Sequence, residues 1–556
     1  MNKFKLSILS LGVVSGLSLA SCGDSFLDVE SMTSSNTENF YKTESDAWRA
    51  LIGCYDGWRQ ISSDGSAISF YVASTVMSDE TYGATGNGDG RGYQVIDRFD
   101  QSQSPSDAQL YSDTWKRYYA GVYRCNELIT RDENIDWKDS DKHGLYIGEA
   151  RALRAIMYFD MVRLWGHIPL FLEPSQENRS QADPDEVYAA IFADLQYAIA
   201  NIPAASNRAS DELGRITKSA AEGLLARAFL YYTGYYGKDS FSYSDSEGNT
   251  TTVSKADALA AVEDIISSSY YSLVPDFKNL WPAASLVPIA DKVGWDSEKS
   301  TYAGDWNQEV ILAQNFTPTQ DYDGNNDSNR WLVMMGMRSL NASPYGKGWG
   351  ACTVCPTYLE KFTSADTRLS ASVIDLSGEG IATGADYESS VSDWREYTGY
   401  TVKKYTPLCY GNGLPGTNAD GTAGFQECNP QQWVILRYAD VLLMAAELGS
   451  SNGRTYLNQV RSRAGLDGVT LSQQNIMDER ARELAFEGIR YWDLLRQGVN
   501  VLADAIVASA GTVKNGGVTG TVTFDRSKIV ATNGLSQIPG DQITLSNGVL
   551  QQNAGW

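Results

Sequence analysis

A mostly α-helical fold carrying one loop-rich insert is what this sequence predicts, and three observations predict it. From Glu149 to Trp165, the residues Ala150, Leu153, Met157, Met161 and Leu164 recur at three- and four-residue steps, the period of a helix with one buried face. From about Trp281 to Pro430 that period fades, and Gly, Asn, Asp, Tyr and Trp become common. It then returns with Ile435, Ala439, Leu442 and Ala446, and again over the stretch from Ile476 to Gly498. A rigid helical frame interrupted by loops is a common support for a binding surface.

The elements follow in chain order. Lys3 and Lys5 precede an apolar run from Leu6 to Leu19, shorter than the roughly 20 residues that span a bilayer. A charged start, a short apolar run and small residues before a cut describe a secretory signal, here residues 1–21. Leu19-Ala20-Ser21-Cys22 resembles the bacterial lipobox, in which the cysteine thiol is diacylated before cleavage. Cys22 is therefore expected to carry lipid, anchoring the mature chain without spanning the membrane, and residues 22–40, rich in Ser, Thr and Asn, to be a flexible tether.

Residues 41–280 read as a helical scaffold that includes an N-terminal binding loop. After the Glu149–Trp165 helix, Asp183, Pro184 and Glu186 supply an N-cap, a first-turn proline and a capping box for a helix carrying Val187, Ile191, Leu195, Ala198 and Ile202. Thr217 can cap a helix with Ala221, Leu224, Leu225 and Ala228, whose partner carries Ala258, Val262, Ile265 and Ile266. Small alanines on inner faces suit stacked helix pairs, and the pairs look like tetratricopeptide units with long loops. Residues 281–430 form the loop-rich insert, 431–500 a further tetratricopeptide-like set, and 501–556 a terminal segment expected to pack on the scaffold.

Composition narrows the function. With 42% hydrophobic and 20% charged residues the chain is globular. Its net charge of −23 argues against nucleic acid and against electrostatic adhesion to anionic lipid. Beyond Cys22 there are Cys54, Cys125, Cys352, Cys355, Cys409 and Cys428, whose even number permits disulfides and leaves their connectivity open. Cys352-x-x-Cys355 lacks the other ligands a zinc site needs, since His143 and His167 are the two histidines, so thiols or a local disulfide are expected and no metal.

Glu479, Arg482, Glu483, Glu487, Arg490, Asp493 and Arg496 are expected to crowd one helix. Carboxylates one turn apart with arginines between them fit salt-bridged helix packing, and guanidinium groups lower a carboxyl pKa, the wrong direction for a general acid. His143 begins a helix and His167 sits in a turn, neither beside a nucleophile motif, so no catalytic residue is assigned. Asp321-x-Asp323-x-Asn325-x-Asp327 alternates oxygen ligands, but Gly324 and Leu332 depart from an EF-hand loop. It is read as a solvated acidic loop, with structural calcium as the alternative and no cofactor expected.

Several segments in order resemble the SusD/RagB family of Bacteroidetes outer-membrane lipoproteins. They are S-C-G-D-S-F-L-D at 21–28, E-A-R-A-L-R-A-I-M-Y-F-D-M-V-R-L-W-G-H-I-P-L at 149–170, and V-Y-A-A-I-F-A-D-L at 187–195. L-R-Y-A-D-V-L-L-M-A-A-E at 436–447, V-R-S-R-A-G-L at 460–466 and E-R-A-R-E-L-A-F-E-G-I-R-Y-W-D-L-L-R-Q-G at 479–498 continue the series. The ending matches too, with Ala554 and Trp556 as mild departures. The resemblance implies a SusD-like fold on the outer membrane, facing the cell exterior. It implies capture of glycan or another nutrient as the lid of a SusC-like TonB-dependent transporter, without catalysis. The alternatives are a tethered glycoside hydrolase, a protein for a non-glycan nutrient, and a transporter scaffold that binds no ligand.

Aromatics are 11% of the residues. Trp48, Trp58, Trp115 and Trp165 lie in helical patterns and are expected in the core, as is Trp281. Tyr82, Tyr93, Trp295, Tyr302, Tyr322, Trp331, Tyr345 and Trp349 stand instead in polar, Gly-rich company, where rings can stack on sugar C–H faces. The loop D-E-T-Y-G-A-T-G-N-G-D-G-R-G-Y adds Asp79, Asn87, Asp89 and Arg91 for hydroxyl groups. The expected ligand set is Asp79, Tyr82, Asn87, Arg91, Tyr93, Trp295, Trp331, Tyr345 and Trp349.

Overall fold

The computed structural model describes residues 40–63, 68–101, 104, 106–204, 212–244, 248–286, 300–316, 328–408, 425–426 and 429–556. Cys22, the signal, the tether as far as residue 39, Trp295, Tyr322, the 321–327 acidic loop, Cys409 and Cys428 lie outside the described residues.

Before the insert come α1 (Glu44–Ser63), α2 (Phe70–Val76), α3 (Gly92–Asp97), α4 (Ser112–Thr130), α5 (Ser140–Trp165), α6 (Pro184–Asn201), α7 (Lys218–Tyr236) and α8 (Lys255–Ser267). Several of these start where a side chain accepts from N–H groups that the helix itself cannot satisfy. Asp139 caps α5, the Asp183–Glu186 box with Pro184 opens α6, Thr217 accepts from Ala220 at the head of α7, and Ser254 with Asp257 boxes α8. Among the described residues the insert holds short helices: α9 (Arg330–Met335), α10 (Pro356–Leu359), α11 (Arg368–Ser372) and α12 (Gly384–Asp393). After it come α13 (Tyr438–Glu447), α14 (Gly453–Arg463), α15 (Gln473–Glu483), α16 (Arg490–Leu495), α17 (Val499–Ala508), α18 (Arg526–Ala531) and α19 (Gly540–Leu545).

Helix packing forms one unbroken row. α1 packs on α4, α4 on α5, α5 on α6, α6 on α7, α7 on α8, α8 on α13 and α13 on α14. Buried alanines at 150, 198, 221, 228, 258, 439 and 446 let neighbours approach closely. The insert is thus an excursion between two helices that touch in space. It is tied back where β5 (Val310–Gln314) pairs antiparallel with β12 (Trp433–Arg437).

A mixed-origin sheet joins the insert to the N-terminal half. β1 (Thr81–Gly83) pairs with β8 (Cys352–Val354), β8 with β11 (Tyr400–Val402), and β11 with β9 (Val373–Asp375), all antiparallel. These short runs are rich in Val, Ile, Thr and Tyr, which suit a pleated, half-buried surface. β2 (Thr85–Gly86) pairs with β10 (Trp394–Arg395), so the segment after α2 is stitched twice to the insert. Smaller pairings are β3 (Ser240–Ser244) with β4 (Thr250–Ser254), β6 (Met337–Arg338) with β7 (Lys347–Gly348), and β13 (Gly511–Asn515) with β14 (Val518–Val522).

The stretch 476–498 departs from the expected single helix. α15 stops at Glu483, Phe486 and Gly488 take φ of 62° and 71°, and α16 starts at Arg490. The turn presses so tightly on Tyr71 that a Cβ at Gly488 would lie 2.8 Å from that side chain. The acidic residues are ion-paired as expected, but mainly to other elements rather than one turn along. Arg368 reaches Glu479 at 2.6 Å and Glu483 at 2.9 Å, Arg437 reaches Glu483 at 2.5 Å and Glu309 at 2.8 Å, and Lys404 reaches Glu487 at 2.7 Å. Burial alone would raise the pKa of Glu483, but Arg463, Arg437 and Arg368 hold it well below the usual carboxylate range.

The terminal segment lies against the scaffold helices: Asn553 donates to the Trp165 carbonyl at 2.9 Å and the Ser536 N–H to Leu164 at 2.8 Å. Among the described residues no helix is long and apolar enough to cross a membrane. Cys54, Cys125, Cys352 and Cys355 are free buried thiols.

Candidate functional site

The segment after α2 is buried through Gly86 and emerges only at residues 87–91, so its tip is the part able to meet a ligand. Two arginines of the insert hold that tip. Arg395 donates to the carbonyls of Asn87 (2.9 Å) and Asp89 (3.0 Å) and to Gln94 Oε1 (2.9 Å). Arg338 joins Asp89 to Asp393 at 2.8 Å each. The Asp89 carboxylate also accepts from the Gly86 N–H at 2.9 Å, closing the turn. A Cβ at Gly86 would lie 2.0 Å from Arg338 Nη2, so a side chain there would displace the guanidinium. Burial lowers the pKa of Arg395, and the Arg91 and Arg338 charges add to the fall.

Beneath the tip, Asp97 accepts from the Gly83 N–H at 2.7 Å, and Arg98 bridges Asp97 and Glu396 at 2.5 and 2.6 Å. Burial raises both acids, Asp97 to about 8. Thr85 Oγ1 and Gln94 Nε2 are buried with no partner among the described residues, two polar groups unanswered beside the loop.

Trp349 follows Gly348, whose register partner is Arg338. Its ring is half-buried, and the Arg330 guanidinium carbon lies 5.3 Å from the ring centre. Nearby, Lys347 Nζ lies 4.8 Å above the Phe425 ring. The tip and Trp349 therefore belong to one frame of β2, β10, β6 and β7. Exposed amide and guanidinium groups at Asn87 and Arg91 offer hydroxyl contacts, and the half-open indole on the same frame offers a stacking face.

Other residues of the expected set are placed differently. Tyr82 is fully buried, its hydroxyl donating to the Ser509 carbonyl at 2.5 Å. Tyr93 is buried with its hydroxyl on Met334 Sδ. Trp331 sits among Tyr71, Phe316 and Trp433, its ring centre 4.6 Å from that of Trp433. Tyr345 is buried and donates to Glu379 at 2.7 Å. None of these four rings offers an open face to a ligand, because each is spent on the core that carries the insert. Asp79 is also buried: burial alone would raise its pKa, but Arg490 at 2.8 Å and Lys361 at 3.3 Å hold it low. Tyr302 is half-buried and donates to Asp305 at 2.6 Å.

Sequence reasoning missed Arg338, Arg395 and Asp393, whose contacts join residues about 250 to 300 positions apart. Trp394-Arg395 is an aromatic–cation dipeptide in a short strand, and nothing local marks it as the clasp of a distant loop. Trp48, expected in the core, is 37% exposed. His143 contacts Asp132 at 2.8 Å in the first turn of α5, and His167 faces the Ala182 carbonyl at 3.2 Å.

With this geometry in hand, comparison with known proteins is direct. A model described as "SusD family" matches residues 308–556, and one described as "Starch-binding associating with outer membrane" matches residues 26–230. A SusD-like protein of Formosa agariphila is 24% identical over 545 residues, covering 89% of this chain and 92% of its own. The solved structure titled "Laminarin binding SusD-like protein" superposes with a TM-score of 0.71 at 24% identity, covering 93% of this chain and all of that one. Surface glycan-binding protein A from Bacteroides thetaiotaomicron in complex with laminarihexaose also gives 0.71, at 23% identity and the same coverage. The fold is thus the mostly α SusD-like fold. This chain belongs to the SusD family.

Proposed function

We propose that this chain is a surface glycan-binding lipoprotein that captures an oligosaccharide on its 87–91 face and passes it on unaltered. The observation that carries the reading is the exposed tip, pinned by Arg338 and Arg395 to the strands that also carry half-open Trp349. Neighbours whose titles name laminarin and laminarihexaose support glycan as the ligand class. The family description naming the outer membrane supports attachment there, with lipid on Cys22 as the anchor. A SusC-like TonB-dependent transporter is the proposed recipient, with this chain as its lid.

Binding suits the residues better than chemistry does. Glu483 and Asp493 are each held by buried arginines that keep their pKa low, and ionised carboxylates so held are poor general acids. One ring face of roughly 60 Å² contributes about 1.5 kcal/mol at roughly 25 cal/mol per Å². An isolated site built on one such shelf is weak, and placing it over a transporter raises the effective concentration.

Calorimetry of the purified chain against a glycan panel, with Trp349→Ala alongside and a pull-down of the transporter, tests this. Lost glycan binding with retained pull-down supports capture. A pull-down that succeeds while neither form binds any glycan would favour a scaffold role.

A further inference from the structure

α1 has two apolar stripes where one would suffice. Ala47, Leu51, Cys54, Trp58 and Ile61 are buried. Trp48, Ile52, Tyr55 and Arg59 repeat the helical spacing on another face and line a cleft of about 680 Å³. That volume lies within the roughly 300–1,000 Å³ of small-molecule sites. The floor is the end of β5 with Gln314 and Asn315, and the far wall runs from Leu213 to Arg215.

The cleft is built rather than left over. Trp48 is 37% exposed, and one side of its ring is held by the Arg215 guanidinium, 5.0 Å from the ring centre. Arg215 is itself fixed on buried Glu149 at 2.5 Å. The far wall approaches the floor through Gly214, whose φ is 102° and whose Cβ position would lie 2.5 Å from Asn315 Nδ2. Asn315 is occupied, accepting from Trp306 Nε1 at 2.8 Å and donating to the Leu213 carbonyl at 3.3 Å.

Gln314 is not fully occupied. It is 4% exposed, and its Nε2 donates to the Trp58 carbonyl at 3.2 Å, which fixes the amide plane. Its Oε1 is buried with no partner among the described residues, and Gln314 is one of the residues that line the cleft. A buried acceptor left unanswered is destabilising, so the complementary ligand brings a hydroxyl or N–H donor. The indole and Ile52 beside it ask for an apolar face. A purely apolar partner would leave Oε1 orphaned, and the two cations that line the cleft, Arg59 and Arg215, are already paired with Asp56 at 2.6 Å and Glu149 at 2.5 Å.

We infer that this cleft is a second saccharide subsite, separate from the 87–91 face, in which a sugar ring stacks on Trp48 and a hydroxyl donates to Gln314. The inference rests on the glycan reading above and adds a site to it.

The test uses the full chain labelled with 5-fluorotryptophan, with the Trp48 and Trp349 ¹⁹F resonances assigned by Trp48→Phe and Trp349→Phe. Laminarihexaose, cellohexaose, maltohexaose, xylohexaose and mannohexaose are the probes. The expected result is a saturable shift of the Trp48 resonance with at least one probe. Trp48→Ala should weaken that probe's second binding event about tenfold or more while the Trp349 response persists. A probe that moves Trp349 while Trp48 stays fixed to millimolar concentration overturns the second subsite and leaves the first. A shift at Trp48 alone keeps the subsite and removes the 87–91 face as a glycan site. Silence at both rings with every probe defeats both readings.

Discussion

Gly86 is where a single hydrogen atom decides the site's geometry. Its missing Cβ leaves room for Arg338, which holds Asp89 and Asp393 together. In Gly86→Ala the long guanidinium arm can swing aside, so thermal stability should change little while the tip loses its clasp. Hydrogen exchange across 87–91 should quicken and glycan affinity should fall. Unchanged exchange there would show that Arg395 holds the tip unaided. At Trp349, truncation to Ala removes roughly 60 Å² of stacking face, which at roughly 25 cal/mol per Å² weakens binding about tenfold. Calorimetry reads this directly, and equal affinity would remove Trp349 from the site. At this scale the sequence was only partly legible. Asn87 and Arg91 stand out as polar residues among glycines, and both are exposed. Tyr82, Tyr93 and Trp331 stand in similar company yet are buried, because a ring beside glycines packs inward whenever a distant strand or helix covers it.

Among elements, the junction of β5, β12, α14 and α15 is tied together by charge. Arg437 joins Glu309, Glu483 and Glu487 at the centre of the molecule. Removing one partner of a buried ion pair leaves uncompensated charge, so Arg437→Met should destabilise the fold by about 3–5 kcal/mol. Denaturant unfolding measures it, and a loss below about 1 kcal/mol would mean the acids find other partners. Glu80, beneath the sheet, behaves oppositely. Burial raises its pKa to about 8, against an ordinary value of 4.5, while it accepts from the Phe486 N–H at 2.7 Å. The folded state therefore keeps a proton that the unfolded chain releases, and Glu80's contribution to stability declines as pH rises from about 4.5 to about 8. Glu80→Gln keeps the acceptor and removes the titration, so its melting temperature should fall less than the parent's across that window. Asp97 and Glu222, both raised to about 8, leave part of the slope in place. Identical pH profiles for parent and variant would show that Glu80 is ionised in the fold. The scaffold helices were the most legible elements, since the caps at Asp183 and Thr217 and the 3.6-residue period are local signals. The break over Phe486 and Gly488 was not, because Gly488 packs against Tyr71, some 400 positions away.

For the whole molecule, the central claim is that a row of packed helices carries a loop-rich face that grips glycan and does no chemistry on it. The row and the insert were readable as periodic and aperiodic texture. The stitching of β1 and β2 into the insert was not, because pairing between strands of two or three residues leaves no pattern in either strand alone. The most direct measurement is calorimetric titration of the chain with a panel of oligosaccharides, assaying the same mixtures for released reducing ends. The account predicts saturable binding of at least one glycan class, weakened by Trp349→Ala, with every sugar recovered intact. Binding to no glycan, or cleavage of a bound one by protein free of contaminating hydrolase, would contradict it.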